Sequence, residues 1–232
     1  MRPLLLLVLL LGPGGPAAAG GPPELARQRE AMVHDQLEAR GIRDRLVLDA
    51  MRAVPRHRFV AEDLRPQAYA DRPLPIGKGQ TISQPFVVAV MVELLDLKGG
   101  ERVLEVGSGS GYAAAVLSRL AAEVYGIELE PELNERAVAT IEALGYGNVH
   151  LRAGDGFGGW PEKAPFDAIL LSCAAEEVPP PLWEQLKTGG RFLYPRGSAG
   201  GQQELVLVVK TPEGRRERRL DPVRFVPMRR AK

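Results

Sequence analysis

Three glycines, Gly107, Gly109 and Gly111, alternate with two serines between an apolar branched run and a helix-like segment. Arg102 to Val106 reads as a strand buried on both faces, and Tyr112 to Leu120 reads as the helix that follows it. A strand-to-helix turn this rich in glycine lets a ligand press against bare backbone amides at a helix N-terminus. That arrangement suits a nucleotide-like ligand. Its plain alternative is a tight βα connection with no ligand at all, and the turn alone does not separate the two.

The glycine spacing narrows the ligand. A dinucleotide fingerprint, G-x-G-x-x-G, would put its third glycine at position 112, which is Tyr; a nicotinamide dehydrogenase is therefore disfavoured. The pattern here is E-x-G-x-G-x-G, beginning at Glu105, and it resembles the first motif of class I S-adenosylmethionine-dependent methyltransferases. A second strand, Glu123 to Glu128, ends in an acid about 20 residues after the turn, where a carboxylate can grip a ribose diol. A third, Val149 to Ala153, runs into Gly154-Asp155-Gly156, an acid placed to reach the adenine side of such a ligand. Acids after three successive strands favour cofactor binding over a simple tight turn.

The remaining elements alternate. Glu24 to Arg40 has a helical apolar pattern ending at Gly41. Asp44 can cap a second helix through Ala53, with Leu46, Val47, Ala50 and Met51 on its inner face. A Pro/Gly-rich loop (73–79) leads to Gln80-Thr81-Ile82-Ser83-Gln84-Pro85, and Phe86 to Leu95 reads as an apolar helix. Pro131 opens another helix to Leu144. Phe166 to Leu171 and Arg191 to Pro195 read as buried strands, with a short helix around Leu182 to Leu186 between them. Thr211-Pro212-Glu213-Gly214 is a turn signal joining Leu205–Lys210 to Arg215–Leu220 as a hairpin. The expected fold is α/β: a doubly wound, mostly parallel, Rossmann-like sheet with an antiparallel edge. The order of its last strands is left open. One domain is expected over 23–232, with N-terminal helices (24–95) covering the site, a core (100–200) and a C-terminal hairpin (203–228).

Composition is that of an ordinary globular domain: 45% hydrophobic, 25% charged, net charge +1. Near-neutrality gives no reason to expect a nucleic-acid partner, and Arg215, Arg216, Arg218 and Arg219 around Glu217 read as a solvated face. A single cysteine, Cys173, builds neither a disulfide nor a thiolate zinc site, and His34, His57 and His150 lack metal-ligand spacing. No metal is expected. Residues 1–22 form a signal-like or disordered leader: Arg2, the apolar run Leu4 to Leu11, then Ala17-Ala18-Ala19. The run is too short to span a bilayer. The leader argues for export, whereas the cytosolic supply of S-adenosylmethionine argues for the cytoplasm; the cytoplasm is preferred.

Ser83 precedes Gln84-Pro85, and proline favours the first turn of a helix, so its hydroxyl reads first as a helix N-cap. A helix N-terminus with a hydroxyl is also a good seat for a carboxylate, and the two readings are compatible.

Taken together, Ala53 to Val60, Leu74 to Pro85, Val103 to Tyr112, Gly154-Asp155-Gly156, Ala164 to Asp167 and Val223 to Pro227 resemble protein-L-isoaspartate O-methyltransferases, from about residue 30 onward and in the same order. The glycine turn is common to many methyltransferases; the Gln80–Pro85 loop is the specific part. The resemblance implies methyl transfer from S-adenosyl-L-methionine, leaving S-adenosyl-L-homocysteine, to the free α-carboxylate of L-isoaspartyl residues in damaged peptides. It matches Ser83 to the catalytic position. It matches Glu105, Gly107, Ser108, Gly109, Gly111, Glu128, Asp155 and Gly156 to cofactor positions, and Thr81, Ile82, Gln84, Arg224 and Val226 to the peptide groove. Flexible or unfolded segments are the implied partners, with no nucleic acid and no membrane span, and a monomer is expected. The signal-like leader departs from the family pattern, as does Cys173, where a small residue such as Ala is expected. The rival readings are a class I methyltransferase acting on RNA or on a small carboxylic acid, and a domain that binds without turnover.

Overall fold

A computed structural model describes residues 23–231; the leader expected over 1–22 lies outside them. Helix α1 (Pro23–Ala31) does not run on to Arg40 as the apolar pattern suggests. It widens into a π-helical stretch, Met32–Leu37, and tightens to a 3-10 turn, Glu38–Arg40, before Gly41 closes it at φ 104°. Met32, Val33 and Leu37 are the buried residues of that stretch, and packing of this face overrides the regular repeat. In α2 (Arg45–Ala53) the Asp44 carboxylate caps the Leu46 amide at 2.8 Å. Val47, Leu48, Ala50 and Met51 are buried, but Leu46 is 57% exposed. At about 100° per residue Leu46 lies well outside the arc centred on the other four, so the inner face expected for it belongs to Leu48.

The Pro/Gly-rich loop is itself a small antiparallel hairpin, β1 (Leu74–Gly77) with β2 (Gln80–Ile82), pairing Leu74 with Ile82 and Pro75 with Thr81. Gly77, Lys78 and Gly79 turn the chain with φ of 96°, 53° and 70°. Helix α3 (Pro85–Leu94) follows. Its N-cap is Gln84, with no side-chain capping bond, so Ser83 stands one residue outside the cap. Pro85 at the first helical position sets this register, and the capping role read for Ser83 does not hold.

The main sheet begins with β3 (Arg102–Val106), the glycine turn and α4 (Tyr112–Leu117). The helix ends three residues before Leu120. Ser118 Oγ donates to Ala115 O at 2.8 Å, and the chain then turns so that the Ala122 amide reaches Glu101 O at 2.9 Å. There follow β4 (Glu123–Glu128), α5 (Pro131–Ala143), β5 (Val149–Ala153), β6 (Phe166–Leu171), α6 (Pro180–Gln185), β7 (Leu186–Arg196), β8 (Gln203–Thr211) and β9 (Gly214–Val223). The sheet order is β5-β4-β3-β6-β7-β8-β9, parallel from β5 to β7 and antiparallel from β7 to β9. The last three strands thus form a simple meander.

Both faces of this sheet are covered. Val103, Ala168 and Leu170 point into one apolar cluster, shared with α2 to α5, and Leu104, Ile169 and Leu171 into another, shared with Leu182 and Phe192. That division is the doubly wound arrangement expected from the repeated strand-helix units. It leaves the C-terminal ends of β3, β4 and β6 open on one edge, where ligands bind in such sheets.

Candidate functional site

The open edge holds a cleft of two joined compartments. The first, about 460 Å³, is walled by Ser83, Val88 and Met91 from the β2–α3 region, by Glu105 and the glycine turn, and by Tyr112, Leu170 and Ser172. The second, about 560 Å³, is walled by Gln80, Glu128, Leu129, Gly156, Cys173 and residues 226–229. Thr81, Gly107, Gly109 and Ser172 border both.

The glycine turn owes its shape to three left-handed residues, Gly107 (φ 83°), Gly109 (φ 54°) and Gly111 (φ 84°). Gly109 is doubly constrained: a side chain there would come within 3.1 Å of Ile76 Cδ1 on the β1–β2 hairpin. The turn is tied to β4 three times, by Gly107 N–H and Ser108 N–H to Ile127 O at 2.8 and 3.2 Å and by Gly109 N–H to Glu128 Oε2 at 2.8 Å. Glu128 also accepts the Glu130 amide at 2.9 Å and is 5% exposed. Each of its oxygens keeps a lone pair on the edge of the second compartment, so it can accept a vicinal diol.

Glu105 is buried under the first compartment. Ser172 Oγ donates to its Oε1 at 2.7 Å, while Oε2 has no partner among the described residues. Burial pushes this carboxyl up to about 7, the Glu128 charge adds to the shift, and the Ser172 bond opposes it. Ser108 Oγ, also buried, is likewise unpartnered. Two orphaned polar atoms beside glycine amides fit a ligand that brings an ammonium and hydrogen-bonding groups of its own.

Ser83, Thr81 and Ile82 are brought together on the first compartment, on the same wall system as Glu105, Gly107, Ser108 and Gly109. Gly156 and Val226 join Glu128 on the second. Gly111 closes the glycine turn behind these walls, where a side chain would touch Ala137 and Ile141. Three other candidates stand elsewhere. Gln84 caps α3 and borders neither compartment, and Arg224 lines a separate surface groove with Arg196 and Gln203. The Asp155 carboxylate caps its own turn, accepting the Phe157 amide at 2.9 Å, and turns its other oxygen toward Arg230 at 3.4 Å.

Sequence reasoning missed several wall residues, among them Ser172, Met91, Met228 and Arg229. Each is a single residue past or within an apolar element and belongs to no spacing pattern. Only the register of β6 against β3, with Val106 beside Leu171, puts Ser172 next to Glu105. No group of His, Cys, Asp and Glu able to hold a metal occurs among the described residues. None of His34, His57 and His150 borders the cleft.

Residues 27–232 match the family described as Protein-L-isoaspartate(D-aspartate) O-methyltransferase (PCMT). Protein-L-isoaspartate O-methyltransferase 2 of Anaeromyxobacter sp. (strain Fw109-5) is 64% identical over 99% of this chain and 97% of its own length. The protein-L-isoaspartate O-methyltransferase of Opitutus terrae is 54% identical over the whole of both chains. Among solved structures, a protein-L-isoaspartate O-methyltransferase superposes with TM-score 0.78 at 32% identity, covering 86% of this chain and 65% of that one. The Plasmodium falciparum protein of that description, in complex with S-adenosyl-L-homocysteine, superposes with TM-score 0.75 at 26% identity, covering 88% and 99%.

Proposed function

The chain belongs to the protein-L-isoaspartate(D-aspartate) O-methyltransferase family, and from that premise we propose how its cleft methylates an isoaspartyl residue. The activity is S-adenosylmethionine-dependent methyl transfer to the α-carboxylate of L-isoaspartyl residues, the first step of a repair that proceeds through a succinimide. The bound cofactor supplies a methyl group already activated on a sulfonium.

The residues present suit that cofactor. Glu105 Oε2 and Ser108 Oγ, buried and unpartnered, would meet the polar end of its methionine half, and Glu128 its ribose hydroxyls. Gly156 leaves the second compartment open for the base, since a Cβ there would collide with Val106 Cγ1 at 2.3 Å and push the turn outward. Asp155 acts through its turn and not by direct contact.

The observation that carries the reading is the position of Ser83. Its hydroxyl caps nothing and stands on the wall that also bears Glu105 and the glycine turn. An isoaspartyl α-carboxylate, with a pKa of about 3 to 4, is already an anion near neutral pH and needs no general base. The cleft is accordingly not asked for one: in this reading Glu105 is taken up by Ser172 on Oε1 and by the donor on Oε2, Glu128 by the ribose, and no histidine borders it. The nucleophile's electron pair forms the new C–O bond as the C–S bond breaks. Ser83 would donate to one carboxylate oxygen and aim the other at the methyl. Thr81 and Ile82 on β2 and Val226 on the opposite strand-like segment would flank the peptide. Alignment and exclusion of water do most of the work.

Threading backbone through such a cleft favours flexible or unfolded segments, and we take the enzyme to act on them as a monomer in the cytoplasm. No helix among the described residues is long and apolar enough to cross a membrane. Of the four arginines of β9, Arg215 pairs with Glu217 and Arg219 with Glu204 along the sheet edge, which lessens the positive charge this face would offer an RNA substrate. Two synthetic peptides that differ only in Asp or isoaspartate at one position test the assignment. Label should pass to the isoaspartyl peptide alone; transfer to the Asp peptide, or to neither, would defeat it.

A further inference from the structure

After β9 the chain returns across the end of the cleft and is fastened there. The Ala174 amide donates to Val226 O at 2.8 Å and the Met228 amide to Ala174 O at 2.7 Å, a parallel bridge around Pro227. Beyond the bridge, Arg229 Nη2 donates to Glu130 Oε1 at 2.7 Å. Arg230 Nε faces Asp155 Oδ2 at 3.4 Å, and its guanidinium lies 4.8 Å from the centre of the Phe157 ring. Val226, Met228 and Arg229 thereby border the same compartment as Glu128, Leu129 and Gly156.

The two acids used as anchors do not line the compartment assigned to the cofactor's nucleoside half, but each is a chain neighbour of residues that do. Glu130 is two residues past Glu128, and Asp155 immediately precedes Gly156. Neither arginine has a task in moving a methyl group. Resting on the methyltransferase reading above, we propose that Arg229 and Arg230 are cofactor-retaining residues. By gripping Glu130 and Asp155 they close residues 229–231, beyond the bridge at Pro227, over the ribose and adenine end of the cleft, so donor and product exchange only when both ion pairs part.

The magnitudes make this a light latch. Arg229 and Arg230 side chains are 48% and 71% exposed against acids that are 25% and 27% exposed. Exposed pairs of this kind are each weak, so two acting on one segment slow escape by about fivefold, and salt removes most of that. The backbone bridge at Ala174 is indifferent to salt, which places the moving part beyond Met228.

The test is dissociation of S-adenosyl-L-homocysteine, measured by rapid dilution of the labelled complex and by calorimetry at low and high salt. In the wild type, high salt should speed release. Arg229→Ala/Arg230→Ala should release the product about fivefold faster at low salt and show little further effect of salt. Arg229→Glu should release faster still, and adding Glu130→Arg to it should restore retention, which separates a latch from general damage. Equal release and equal salt response in wild type and the double alanine variant would overturn the proposal, as would failure of the charge swap to restore retention. No binding of S-adenosyl-L-homocysteine by the wild type would instead overturn the methyltransferase reading, and the latch with it.

Discussion

Ser172 donates its hydroxyl to one oxygen of the buried Glu105 carboxyl at 2.7 Å and leaves the other oxygen without a partner in the cleft. With burial holding this carboxyl at about 7, it is partly protonated at neutral pH when the cleft is empty. An ammonium docked against Oε2 favours the ionised form, so donor binding should release a proton. Donor affinity should rise as pH increases through about 7, by up to about tenfold per unit below that point, and level off above it. Calorimetry in buffers of different ionisation heat reads both effects. Glu105→Gln should bind more weakly with a flat profile; a wild-type profile that is flat from pH 5.5 to 8 would remove the ammonium from Glu105. The same group acts on stability in the ligand-free protein. The native state keeps a proton that the unfolded chain gives up near 4.5, so its contribution is present at low pH and lost as pH climbs through about 7.

Ser83→Ala removes a donor to an anion, an interaction of about 1.5 to 3 kcal/mol, so turnover should fall about tenfold to a hundredfold. Donor affinity should hardly change, since in this reading Ser83 holds the peptide carboxylate while Glu105, Ser108 and Glu128 hold the donor. Steady-state rates with an isoaspartyl peptide, beside a donor titration, decide the matter. Unchanged turnover would return Ser83 to a bystander of the α3 N-terminus.

Glu128→Ala should act in the opposite sense. It takes the acceptor from the amides of Gly109 and Glu130 and from the donor's diol together. Donor binding should weaken about a hundredfold, with Glu128→Gln intermediate because it keeps one carbonyl oxygen. A donor dissociation constant within twofold of wild type in the alanine variant would show that the ribose lies elsewhere.

Cys173 borders the second compartment, yet its thiol should be unreactive. Burial, reinforced by the charges of Glu128 and Glu105, pushes it up to about 12, and thiols react as thiolates. Native protein at pH 8 should resist iodoacetamide over hours and carry no S-methyl group after turnover, whereas unfolded protein should be alkylated within minutes. Mass spectrometry of the peptide containing Cys173 reads both. Rapid labelling of the native form would mean that the thiol is ionised beside the donor.

Four of the five parallel strands were legible to the residue. The fifth, expected at Arg191–Pro195, begins at Leu186, where the expected helix gives way after Gln185 because the chain pairs Leu186 with Phe166. Runs such as Phe166–Leu171 are buried on both faces, and a branched apolar run bounded by turn residues marks itself. Glu105, the glycines and Glu128 were legible for a related reason: backbone conformation and charge at strand ends leave fixed spacings. Elements set by tertiary packing were not. Widening at Met32–Leu37, the early end of α4 and the exposure of Leu46 each depend on what the helix meets. Prolines and glycines at 73–79 suggested a loop and concealed the β1–β2 hairpin, because two strands of four and three residues leave no periodicity to read. Ser172 needed the β3–β6 register, and Asp155 needed the position of Arg230, neither of which is local in the chain.

The meander of β7, β8 and β9 has an arithmetical consequence. Two successive reversals cancel, so β9 points the same way as β7 and delivers its end at the edge of the sheet where Glu105 and Glu128 sit. Removing or adding hairpins in pairs of strands would keep that delivery, whereas an odd change would strand the arginine-bearing tail on the far side of the molecule. Parity, more than sequence length, governs which terminal extensions this sheet can bring to bear on its ligand.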